Sequence, residues 1–218
     1  STIGFGIAVV SAPVVVLVRP DLMPASLLVC VFAMPVAQLL TGPRDIDWRP
    51  LGWALGARLL ATPVGVLLVA ATTPDVIALS VGVLILVTVV ASVTAIDIRS
   101  TPRNAAVAGA LTGVSGTAAS IGGPFLALVL QHERPQRLRA TLAAFFLVGS
   151  MTAVGALTLA GQVDREDVLA GLFWIPFVLL GHLLAGPLRS RIAAESVRRA
   201  VLAFCVIASV SVIVRTVI

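Results

Sequence analysis

The chain has 218 residues, 59% of them hydrophobic and only 11% charged, with a mean hydropathy of +1.09. An ordinary soluble domain carries about 25% charged residues, so this composition excludes one and points to a polytopic membrane protein. The 15 basic residues are all arginines, set against 10 acids, and most lie between apolar runs, which reads as membrane orientation and not as a nucleic-acid surface.

The first apolar segment, residues 2–18, holds Gly4, Gly6 and the small-small-proline set Ser11-Ala12-Pro13. It starts within an apolar run, with no basic leader region or cleavage site. A removable signal peptide is therefore not expected, and the segment reads as shortened. Further apolar runs follow at 25–40, 48–70, 76–96, 109–130, 138–159, 168–188 and 197–218, each near the roughly 20 residues that a spanning helix needs. The connections between them are too short to hold a soluble domain. Cys30 and Cys205 lie inside apolar runs and form no metal or redox pattern, so they read as buried small hydrophobes.

The run at 109–130 is apolar but crowded with Gly, Ser and Thr. At Ser120-Ile121-Gly122-Gly123-Pro124 a regular helix should fail, because proline lacks an amide donor and two glycines leave the backbone unsupported. Unpaired peptide groups at membrane depth survive only inside protein or beside a polar cavity, so this break is a candidate binding site. The competing reading is a kinked packing helix, with Gly109 and Gly113 admitting a close neighbour.

The two halves resemble copies. When Pro124 is laid on Pro13, Gly122-Gly123 falls on Ser11-Ala12 and Pro135 on Pro24. With small shifts, Asp45 and Asp47 fall near Asp164 and Glu166, and Gly65 near Gly181. The expected fold is all-α, with repeats 1–98 and 99–218 forming one membrane domain, each opening with a Pro/Gly-broken helix. If the run around Gly122 enters and leaves on one side, Arg44, Arg49, Arg99, Arg103, Arg134, Arg137, Arg139, Arg189, Arg191, Arg198 and Arg199 share a face, and Arg19 and Arg165 oppose them. That asymmetry fits the positive-inside rule far better than eight simple crossings do, and it favours re-entrant hairpins in repeats of opposite orientation.

Arg58 is the sharpest single residue. It lies ten positions into its segment, about 15 Å from the start and hence near the bilayer middle. A guanidinium there needs a partner, and no acid lies deep in any segment, which leaves a bound anion or backbone carbonyls. His182 could exchange protons near neutral pH, although a packing histidine bonded to a carbonyl is the blander reading. Ser115, Thr117 and Ser120 could aim hydroxyls at a ligand or bond back to their own helix. Gly113-Val114-Ser115-Gly116 together with His182 also resembles the Ser/His dyad of intramembrane proteases, but that reading gives the breaks and the repeat no role.

These landmarks resemble the sulfite exporter TauE/SafE family of bacterial membrane permeases. The resemblance rests on Gly4-Phe5-Gly6 with Ser11-Ala12-Pro13 in the first repeat. In the second it rests on Gly109, Gly113, Gly116 and Gly122-Gly123-Pro124, followed by Arg139-Ala140-Thr141. It covers essentially the whole chain. It implies transport of small anions such as sulfite or sulfonates, coupled to an ion gradient.

The reading is thus a multi-pass carrier of the bacterial inner membrane, not an enzyme, without metal or cofactor. Its substrate-binding residues would be Arg58, Ser11, Ala12, Pro13, Ser115, Thr117, Ser120, Gly122, Gly123 and Pro124, with His182 as a proton-coupling candidate. Its partners would be a small anion, the lipid bilayer, a coupling proton or sodium ion and a second copy in a homodimer. No nucleic acid is expected. A passive anion channel is the nearest alternative.

Overall fold

The computed structural model describes residues 7–42, 44–93, 98–188 and 194–217, and every regular element among them is helical. Helix α1 (Ile7–Val18) leads through a single tight turn, Pro20–Leu22, into α2 (Ala25–Val31) and α3 (Ala33–Thr41). The α2–α3 interruption at Phe32 has a local cause: Pro35 has no amide to give to the carbonyl of Val31. The long α4 (Trp48–Ala71) and α5 (Pro74–Val93) follow. The second half comprises α6 (Pro102–Ala119), α7 (Gly123–Val129), α8 (Pro135–Leu159), α9 (Arg165–Leu188) and α10 (Ala194–Val217).

The break expected at Pro13 is absent, because α1 runs straight through that proline. A lone proline removes one hydrogen bond and bends a helix. Ser11 and Ala12 have the side chains that Gly122 and Gly123 lack, so nothing further unravels the turn. In the first half the interruption comes later, between Arg19 and Pro24. Gly4-Phe5-Gly6 lie outside the described residues.

The second break is where the composition places it. Thr101 caps α6 by accepting from the Asn104 amide, and the helix ends at Ser120, which has φ 57° and gives its N–H to the Ser115 carbonyl. The chain then folds back. Leu126, Val129 and Leu130, at the end of α7, bury with Ala105 and Ala108 from the first half of α6 and with Leu51 and Ala54 of α4. Gln131 Nε2 donates to the Ile98 carbonyl at 3.4 Å, so α6 and α7 form a hairpin whose two ends lie together. The same end of the bundle holds the loop before α4. There Arg137 meets Asp45 at 3.1 Å, and the Asp47 amide donates to Thr141 Oγ1 at 2.9 Å.

Helix α4 packs on α6 and α8, α9 on α2, α3 on α8, and α5 on α10. The α4–α6 contact is close and parallel, since Gly109 lies on Ala54, Gly113 on Arg58, and Thr117 on Gly65. A Cβ on Gly109 would overlap the backbone of Ala54, which cannot step aside as a side chain can. Gly109→Ala is therefore expected to cost about 1–3 kcal/mol of stability, the usual range for overpacking. The measurement is the thermal unfolding midpoint in detergent, and an unchanged midpoint would refute the tight contact.

Polarity is arranged as a membrane requires. Leu60 and Leu67 of α4 are 83% and 67% exposed on the outer face, while Arg58, Thr62, Thr112, Thr117 and Thr141 are buried inside. Helices α4 and α8 are long and apolar enough to cross a bilayer. Cys30 and Cys205 are both buried in the core.

Candidate functional site

The interior is built around Arg58, which is 3% exposed although it carries a charge. Close α4–α6 packing brings it there, because Gly113 has no side chain to hold the α4 backbone off. Its guanidinium carbon lies 4.8 Å from the centre of the Phe145 ring on α8, a cation–π contact worth roughly 0.5–2 kcal/mol. Nη1 reaches the Phe145 carbonyl at 3.5 Å, at the limit of a hydrogen bond. Among the described residues Nε has no hydrogen-bond partner. Among the described residues no carboxylate pairs with Arg58.

Two glycines shape its seat. A Cβ on Gly149, one turn beyond Phe145 on α8, would fall onto the guanidinium carbon. On the α6 side a Cβ on Gly116 would come within 3.6 Å of Nη2 and 3.4 Å of the Thr112 methyl. Thr112 in turn ties the seat to the break. Its hydroxyl lies 2.7 Å from the Ala108 carbonyl and 3.0 Å from that of Gly122, with one proton to share between them. The amides of Gly122 and Gly123 donate to nothing among the described residues. The arrangement thus offers an unneutralised cation and loose peptide N–H groups within one turn of α6, which together can hold an anion.

The other candidates divide. Thr117 is fully buried and its hydroxyl has no hydrogen-bond partner among the described residues, so it remains an available donor. The Ser115 hydroxyl donates back to the Leu111 carbonyl at 2.8 Å, and that of Ser120 donates to the Pro24 carbonyl at 3.0 Å. Those two protons are committed elsewhere. Pro124 is buried at the start of α7. Ala12 is buried in the same core as Ala119 and Ile121. Pro13 stands beside it inside unbroken helix. Ser11 lines an apolar groove of about 550 Å³ between α1, α2 and α9, in which Arg58 takes no part. The side chain of His182 lies outside the described residues, so a Ser115–His182 dyad has no geometric support here.

Phe145, Gly149 and Thr112 escaped the sequence reading. Gly149 left a faint trace, a small residue inside an apolar run. Nothing in the sequence pairs it with Arg58, because they meet only when α4 and α8 pack.

Residues 1–212 match the family model for the sulfite exporter TauE/SafE. The chain belongs to the sulfite exporter TauE/SafE family. Neither the curated proteins nor the solved structures gave a match. Membership makes this a membrane protein of a transporter family for small sulfur-containing anions.

Proposed function

We propose that the protein is a multi-pass inner-membrane carrier that moves a small sulfur oxyanion, sulfite or a sulfonate, by alternating access. One observation carries this reading: a guanidinium that is nine-tenths or more buried and that, among the described residues, has no carboxylate partner and leaves Nε unpaired. Leaving such a charge uncompensated in a low-dielectric interior is costly, so a mobile anion that completes it explains its presence. The Nε edge of the guanidinium suits an oxyanion, which can accept two parallel N–H bonds, better than it suits a spherical halide. The amides of Gly122 and Gly123 and the Thr117 hydroxyl would complete the shell.

The halves 1–98 and 99–218 act as inverted repeats in this reading. Support comes from the packing, in which α4 lies on α8 as α9 lies on α2, while α5 and α10 lie on each other. It also comes from charge. Arg44, Arg99, Arg134, Arg137 and Arg139 gather at the end where the α6–α7 hairpin opens, and Arg19 and Arg165 lie at the other. The positive-inside rule then turns the first end to the cytoplasm.

The test is counterflow. Proteoliposomes loaded with unlabelled sulfite are expected to accumulate radiolabelled sulfite transiently and saturably, and excess external sulfonate should compete while chloride does not. A non-saturating electrical current without counterflow would establish a channel instead. No sulfite movement of either kind would overturn the assignment.

A further inference from the structure

We infer that two ion pairs, Arg19–Glu166 at one end of the bundle and Arg137–Asp45 at the other, are alternating latches of the transport cycle. The inference rests on the carrier function proposed above and adds the residues that control access to it. Each pair joins one half of the chain to the other: Arg19 meets Glu166 at 3.3 Å, and Arg137 meets Asp45 at 3.1 Å. Helix α8 fixes their separation. Arg137 sits in its first turn and Glu166 just past its far end, and its 25 residues span about 37 Å. The Arg58 seat lies between the two.

The pairs stand at comparable links when the halves are exchanged, although the two arginines are not at aligned positions. Arg19 opens the link between α1 and α2, and Arg137 follows the link between α7 and α8; these links share the Pro24 and Pro135 landmarks. Asp45 precedes α4, and Glu166 opens α9, the corresponding long helix. Each arginine also has a second acid in its own half, Asp21 at 2.8 Å for Arg19 and Glu133 at 3.8 Å for Arg137. When the halves part, each guanidinium keeps its own-half acid, and the exposed Glu166 or Asp45 carboxylate that it releases returns to water. The hydrogen bond from Arg19 already holds the Asp21 carboxyl below its ordinary range, so that acid stays charged to keep it.

Exposure suits the role. The four side chains are between 42% and 77% exposed, so each pair is weak and opens readily. A deeply buried pair would lock the cycle. In this structure both pairs are closed, as an occluded intermediate requires.

Sided labelling tests the latches without any substrate. Gly116→Cys, in a Cys30→Ala/Cys205→Ala background, places a thiol beside the Arg58 guanidinium, and a membrane-impermeant maleimide is added to right-side-out or inverted vesicles. Asp45→Asn is expected to speed labelling about two- to five-fold, the range an exposed pair is worth, from the Asp45 end only. Glu166→Gln is expected to do the same from the Glu166 end only. Equal acceleration from both ends, or none in either variant, would overturn the proposal. If the Gly116→Cys protein does not fold, the double variant Arg19→Cys/Glu166→Cys decides instead. Joining the two thiols with a bifunctional methanethiosulfonate, which bridges the gap that the shorter side chains leave, should stop sulfite flux until a reductant releases it, and undiminished flux in the cross-linked protein would overturn the latch. Labelling that responds as expected in a protein that moves no sulfite would keep the latches and remove the substrate assignment, so the two claims fail separately.

Discussion

Arg58→Met is expected to abolish anion flux in proteoliposomes while raising the thermal unfolding midpoint. The two effects have one cause. Among the described residues the guanidinium has one marginal carbonyl contact and one aromatic face, so much of its desolvation cost is uncompensated. Replacing buried charges by an apolar side chain of similar volume is often neutral or stabilising by about 1–4 kcal/mol. The anion, however, loses its countercharge, which costs about 2–5 kcal/mol of binding, or roughly thirty- to four-thousand-fold. Stability gained as function is lost is the mark of a residue kept for its ligand. If the variant instead unfolds more easily and still transports sulfite, Arg58 is a structural clamp, and the site must be sought elsewhere.

Gly149→Ala should damage transport at least tenfold with little effect on folding. The new methyl would occupy the position of the guanidinium carbon, but the obstacle is the tip of a flexible side chain, so Arg58 moves and the helices do not. The displaced guanidinium loses the Phe145 ring and its register with Gly116, and 1.4 kcal/mol of lost anion binding is already a factor of ten. Kinetics of sulfite uptake check this, with KM expected to rise more than maximal rate falls. Combining Gly149→Ala with Arg58→Lys, whose slimmer head needs less room, should recover part of the loss. An unchanged KM in Gly149→Ala would mean that the seat does not position the cation. The contrast with Gly109→Ala is instructive, because there the obstacle is the Ala54 backbone, and the cost falls on stability.

The two halves of the chain show how far a sequence can be read. Gly122, Gly123 and Pro124 announce a failed helix because each acts on its own backbone, and the helix does fail there. Pro13 gave the same signal more weakly. With Ser11 and Ala12 in place of glycines, the turn held, and the interruption moved on to the Arg19–Pro24 link. The hydroxyls were harder to read. Ser115, Thr117 and Ser120 look equivalent as sequence, yet two spend their protons on carbonyls, one local and one 96 positions away, and only Thr117 is left unpaired.

Composition and spacing alone determined that this chain is helical, belongs in a membrane, breaks near Gly122 and hides a cation in α4. Those properties arise within a residue or within one helical turn, where hydrophobicity, proline geometry and the cost of a buried charge act directly. Only the tertiary structure decided what surrounds that cation: the ring of Phe145, the vacancy at Gly149, the loose amides of the returning hairpin and the ion pairs closing both ends. Each of these joins residues far apart in the chain, and such contacts depend on how whole helices pack, which no local pattern encodes.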